Sequence, residues 1–201
     1  MRVLHIIPSA FEYFDDIRAE AFALLKELDK LGVDADAFTL QYGRTTKEVK
    51  TSVAEIVKKE TPAGKVESTH KYAGLQSATK MFSDWENYDI IHLHCPFMGA
   101  ANRILAWVKA HPNIPFVVTF YRPMPFKDLF SIFFRWYNNY YLPKIFQAAT
   151  AIICFDPVVL IRSNAGRKIK DTRKILELSD NPELLAKDLQ MLYNSILEMI
   201  N

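Results

Sequence analysis

His92 and His94 lie two residues apart in the apolar run Asp89-Ile90-Ile91-His92-Leu93-His94-Cys95-Pro96. On a strand they point to the same face. A metal pair is the first chemistry this suggests, but the sequence offers no third ligand at a suitable spacing. His92 lies deeper in the run and reads as a core histidine with its hydrogen bonds met. His94, at the end, reads either as a pocket-lining residue or as a packed one. A nucleophilic Cys95 would need a lowered pKa and a partner base, and its neighbour His94 points to the opposite face. Thr119-Phe120-Tyr121-Arg122 closes a second β-rich run. Tyr121 there is a candidate hydroxyl donor and Arg122 a candidate clamp for phosphate or carboxylate; the competing reading is a surface arginine over a packed tyrosine. A hydrolase built on Cys95 or Ser9 lacks an identifiable base and orienting acid.

Only a parallel sheet would bring these residues together. Arg2 to Ile7 is a short β-rich run, and Ile17 to Leu31 has apolar residues at helical spacing, stopped by Gly32. Val33 to Leu40 follows as a strand, completing a βαβ unit. Thr45 to Glu60 reads as a polar helix, Pro62 to Gly64 as a turn, Lys65 to Ser68 as a short strand and Ala73 to Trp85 as a helix. The pattern then repeats: strand Asp89 to His94, helix Gly99 to Ala110, strand Pro115 to Phe120, long helix Phe126 to Phe146, strand Ala149 to Phe155. Six strands alternating with helices predict an α/β fold, a single doubly wound, mainly parallel Rossmann-like sheet with helices on both faces. Its crevice would lie beyond the strand carboxyl ends, at Pro8 to Asp16, His94 to Phe97, Phe120 to Arg122 and Phe155 to Pro157. Ser9, Asp16, His94, Tyr121 and Arg122 are therefore the candidate substrate-binding residues. The loop after Ile7 contains no glycine, so backbone cannot approach phosphate there as in a dinucleotide fingerprint or P-loop, and no cofactor is expected.

The 201 residues suffice for one well-cored domain, and a net charge of +2 gives no case for nucleic-acid binding. Two cysteines far apart in apolar surroundings read as reduced thiols of a cytoplasmic protein. No leader or membrane-spanning stretch is evident. Residues 1–157 form the expected Rossmann-like domain and 158–201 a basic connector, Arg162 to Lys174, followed by a C-terminal helix. That helix should begin at Asp180-Asn181-Pro182-Glu183, and its apolar stripe should pack back on the same domain.

The aromatic residues are concentrated. Of the 14 Phe, 9 Tyr and 3 Trp, twelve fall between Phe116 and Phe146. In Phe126 to Phe146 a narrow polar stripe (Asp128, Ser131, Arg135, Asn138, Asn139) leaves an apolar face wider than one sheet contact needs. Two readings fit: an interfacial helix meeting an anionic membrane through Phe126, Phe130, Phe133, Phe134, Trp136 and Arg135, or a helix buried against a partner or a second copy.

Taken in order, Arg2-Val3-Leu4-His5-Ile6-Ile7-Pro8, Asp89 to Phe97, Pro115 to Tyr121 and Ala149 to Cys154 resemble the N-terminal, acceptor-side domain of glycosyltransferase family 4, retaining enzymes of two Rossmann-like domains (GT-B fold). Lys174 to Leu185 looks like the family's closing segment, whose helix returns to the N-terminal domain. The resemblance implies an acceptor domain with its returning helix and without the donor-nucleotide domain, lost in evolution or in the laboratory. It implies a hexosyltransferase-class protein that binds a sugar or lipid-linked acceptor, or a lipid surface, but is inactive alone. A separate donor-domain chain is a partner it suggests. His94 matches the family's histidine at that strand end and is carried over as an acceptor-pocket residue. Phe11 to Asp16 replaces the family's glycine-rich turn, Tyr121 replaces a histidine near the transferred sugar, and the donor domain's paired glutamates have no counterpart. No catalytic residue and no metal is therefore assigned. A non-catalytic interaction module, a homodimer through the aromatic helix, is the alternative. The expected location is cytoplasmic, with peripheral contact at the inner membrane face.

Overall fold

The computed structural model describes residues 1–8, 14–41, 47–52, 70–71, 84–97, 100–123 and 131–200. Among these residues the sheet has eight strands: β1 Arg2–Ile7, β2 Asp34–Gln41, β3 Lys47–Ser52, β4 His70–Lys71, β5 Ile90–Cys95, β6 Phe116–Phe120, β7 Ala151–Cys154 and β8 Ile175–Glu177. Their order is β4-β3-β2-β1-β5-β6-β7-β8. The six strands from β2 to β8 across β1 run parallel, while β3 and β4 add an antiparallel edge. The fold is thus the α/β, mainly parallel architecture that the alternation predicts. The chain leaves β1 toward one edge and re-enters at β5 on its other side, so the topological switch lies between β1 and β5.

Helix α1, Asp15–Lys30, ends in a Schellman motif. Val33 N donates to Leu28 O at 3.1 Å and Gly32 N to Asp29 O at 2.9 Å, with Gly32 at φ 76°. Glycine suits that left-handed position because it has no Cβ. Helix α2 is Ala101–Ala110. The aromatic segment forms α3, Ser131–Trp136, a π turn Tyr137–Tyr141, and α4, Leu142–Ala148. Pro143 has no N–H to give the Asn139 carbonyl four residues back. Lys168 Nζ donates to that carbonyl instead, at 3.1 Å. Asp156 caps α5, Pro157–Arg162, accepting from Val158 N and Val159 N. Asn181 Oδ1 caps α6, Pro182–Ile200, accepting from Glu183 N at 3.0 Å and Leu184 N at 3.2 Å.

The sheet separates two apolar layers. Val3, Ile7, Ile90, Val117 and Ile153 meet Leu24 and Leu28 of α1 and Leu185, Leu189 and Ile196 of α6. Burial of each of those three α6 side chains contributes about 2 kcal/mol. Leu4, Ile6, Ile91, Leu93, Val118 and Ile152 meet Ile104 of α2 and Phe134, Tyr137, Leu142, Ile145 and Phe146 of α3, the π turn and α4. Lys174 Nζ donates to the carbonyls of Phe146, Gln147 and Ala149, closing the end of α4.

Three expectations change. Residues 47–52 of the expected helix Thr45 to Glu60 are a strand, because the open edge of β2 offers a backbone partner for this mostly polar segment, with Thr39 opposite Val49. β8, parallel to β7, lies between the basic connector Arg162 to Lys174 and the C-terminal helix, where the sequence reading places no strand. Its three residues are too few to show a period. Phe134, expected at a membrane or partner surface, is 3% exposed and belongs to the core. The turn Pro62 to Gly64, the strand Lys65 to Ser68, nearly all of the helix Ala73 to Trp85, and Ser9, Phe126 and Phe130 lie outside the described residues.

Candidate functional site

Alternation on three neighbouring strands builds a polar file on the α1/α6 face of the sheet. His5 of β1 stands opposite His92 of β5, and His94 opposite Thr119 of β6. His5, His92 and His94 are each 0% exposed. His5 Nδ1 lies 3.0 Å from His94 Nε2, and His94 Nδ1 lies 2.8 Å from Tyr121 Oη. His92 hydrogen-bonds Tyr193 Oη of α6 through Nδ1 and Thr119 Oγ1 through Nε2, the latter at 2.7 Å. The file leads from beneath α6 to the carboxyl end of β6.

His5 is the member that sequence reasoning missed. It stands 87 positions from His92 on another strand, and only the β1–β5 register joins them. The three histidines could offer ligand atoms within 4.8 Å of one another. As arranged they form a hydrogen-bonded network and not a coordination sphere. The His92 and His94 rings stack at 17°, so their in-plane lone pairs do not converge, and both His92 nitrogens are already engaged. Among the described residues, His5 Nε2 has no hydrogen-bond partner. Burial keeps all three rings neutral. It pushes His94 down to about 3 and holds His5 and His92 well below the ordinary histidine value, with His94 adding to the effect on both.

Beyond the file lies the crevice edge. Tyr121 is half-buried, its ring edge-on to Phe155 at 5.4 Å, and burial pushes its hydroxyl up, so it remains a neutral donor. Arg122 and Asp16 pair at 2.6 Å with about half of each side chain exposed. Glu20, one turn along α1 from Asp16, is raised by partial burial and then by repulsion from Asp16. Four of the five candidate substrate-binding residues are described: Tyr121, Arg122 and Asp16 gather at this edge, and His94 stands fully buried behind Tyr121. Cys95 faces the other layer, with its thiol pushed up to about 12 by burial. A group so rarely ionised is no nucleophile at neutral pH.

On the aromatic segment, Phe133 and Trp136 are half-exposed and Arg135 is exposed. Tyr137 turns inward, its Oη accepting from Phe97 N at 2.9 Å, and Asn138 is buried. The wide apolar face therefore divides between core and surface. No described helix is long and apolar enough to cross a membrane.

A family model described as Glycosyltransferase Family 4 matches residues 21–160. No curated protein matches the chain. Among solved structures, the chain is similar to the SpRpn10 VWA domain, with a TM-score of 0.35 and 9% identity over 94% of each chain.

Proposed function

This chain belongs to glycosyltransferase family 4, and we propose that it is an acceptor-side half of such an enzyme, binding an acceptor at the β1–β5–β6 crevice without transferring sugar by itself. The observation that carries the reading is the polar group at the switch-point edge, where the Arg122–Asp16 pair adjoins Tyr121 and its backing histidine. An acceptor bearing a phosphate or carboxylate would meet the Arg122 guanidinium, exchanging Asp16 for a second anion. The neutral Tyr121 hydroxyl would donate to an acceptor oxygen. His94, held behind it, fixes that hydroxyl's direction and is a positioning residue.

Inactivity of the isolated chain follows from the loop after β1. Ser9 to Asp16 has no glycine, so its sequence gives no close backbone approach to a donor's phosphates. Calorimetric titration of the purified chain with UDP- or GDP-sugars should give no measurable binding; micromolar affinity would overturn the half-enzyme reading.

A hexose phosphate serves as the anionic acceptor probe. Arg122→Ala should weaken its binding about tenfold or more, the effect of one charge-assisted hydrogen bond. The melting temperature should hardly move, because an ion pair this exposed adds little stability. Equal affinity in the variant would remove Arg122 from the site.

A further inference from the structure

We propose that the histidine file is directional: His5 donates to His94 and His94 to Tyr121, so that Tyr121 turns its own hydroxyl proton outward into the crevice. A neutral imidazole has one N–H donor and one bare nitrogen that accepts, so each hydrogen bond along the file fixes the next. His5 Nδ1 meets His94 Nε2 at 3.0 Å, and His94 Nδ1 meets Tyr121 Oη at 2.8 Å. Two arrangements satisfy both bonds. In the outward one, both rings carry their proton on Nδ1 and the file ends in a bare His5 Nε2. In the inward one, the Tyr121 hydroxyl donates to His94, both rings carry their proton on Nε2, and the file ends in a His5 N–H.

The two ends of the file choose between them. Among the described residues His5 Nε2 has no partner, and its ring is fully buried. A buried N–H without an acceptor is rarer in folded chains than an acceptor without a donor, so the closed end favours the bare nitrogen. At the open end Asp16 pairs with Arg122, and Glu20 lies one turn further along α1. The Glu20 charge acts with burial to hold the proton on Tyr121. The same field draws the O–H dipole away from His94 and toward the crevice. The His94 ring is kept in plane by stacking on His92, which is itself bonded to Tyr193 and Thr119. Tyr121 then selects a ligand atom that only accepts, such as a phosphate, carboxylate or carbonyl oxygen. A ligand N–H at this point would require both tautomers to reverse and would place a buried N–H at the closed end. This selection rests on the acceptor reading, whereas the direction of the file does not.

Long-range proton–nitrogen NMR correlations on the full chain, without ligand, show which nitrogen of each histidine carries the proton. Both His5 and His94 should carry it on Nδ1. If their resonances overlap, neutron diffraction from deuterated crystals locates the same protons. A proton on His94 Nε2 overturns the proposal, whatever the chain binds. With hexose phosphate as the probe, Tyr121→Phe should weaken binding about tenfold, the loss of one hydrogen bond to a charged oxygen, and the tautomers of the native chain should not change. Reversal of the tautomers on binding, or equal affinity in Tyr121→Phe, overturns the outward hydroxyl as the selecting group. Should the probe bind neither protein while both rings carry their proton on Nδ1, the acceptor reading falls and the direction of the file stands.

Discussion

Lowering the pH from 7 to 5 should remove about 2 kcal/mol of folding stability through His94 alone, with His5 and His92 acting in the same direction. The sign follows from where the proton goes. In the folded chain burial keeps His94 neutral down to about 3, while in the unfolded chain it titrates at the ordinary value of 6.5. Between those values the unfolded state binds the extra proton. Stability is therefore fully present above about pH 6.5 and is lost progressively as pH falls toward 3. His5, His92 and His94 face one another and the neutral groups Thr119, Tyr121 and Tyr193, and among the described residues no carboxylate hydrogen-bonds any of them. Urea unfolding followed from pH 7.5 to pH 5 checks this above the ordinary carboxylate range. The midpoint should fall steadily, with a slope of about 1.4 kcal/mol per pH unit for each histidine protonated on unfolding. An unchanged midpoint would mean that water reaches the rings and that the file is not closed by Tyr193 and α6.

Gly166→Ala should destabilise the protein by about 3 kcal/mol or more, lowering the melting temperature by about 10 °C. A Cβ at this position would lie 1.9 Å from the Leu160 carbonyl oxygen and 2.7 Å from its carbon. Both are backbone atoms, so no side-chain rotation relieves the clash. The turn is also held by hydrogen bonds: Gly166 N donates to Ser163 Oγ at 2.9 Å, and Ser163 Oγ donates to the Leu160 carbonyl at 2.6 Å. Ala165 and Ile169 on either side are buried. Moving the turn would withdraw those side chains and Lys168, which satisfies the carbonyl that Pro143 leaves without a donor. Thermal unfolding watched by circular dichroism measures the effect. A fall of only a degree or two would show that residues 163–169 are loosely attached to the π turn, where Asn164 and Lys168 hydrogen-bond Asn139.

Sequence and structure agree where the cause of structure is local. The spacing of Ile17, Ala21, Leu24, Leu25 and Leu28 predicts the buried stripe of α1, and each of these residues is buried. Gly32 ends that helix as expected, because the left-handed turn is a property of one residue. Asn181 and Pro182 begin α6 because a side-chain acceptor and a residue without an N–H suit a helix start wherever they stand. Apolar runs long enough to be buried on both faces mark β1, β5, β6 and β7. The crevice edge was legible for the same reason, since strand ends name Tyr121 and Arg122. Their link to His94 and Asp16 was not.

Residues 47–52 carry mostly polar side chains, and their strand exists because β2 has an unpaired edge; β8 exists because β7 has one. A polar segment takes whichever backbone partner the assembled sheet leaves open, and no window of sequence contains that partner. The file repeats the lesson at the scale of side chains. His92 and His94 declare their shared face by alternation, but His5 joins them only through the β1–β5 register and Tyr193 only when α6 returns across the sheet. The aromatic helix divides in the same way: its composition announces a wide apolar surface, and packing against the sheet turns Phe134 and Tyr137 inward and leaves Phe133 and Trp136 outside. Periodicity, caps and strand ends belong to the chain itself. Contacts between distant segments depend on register and burial, which exist only once the layers have closed.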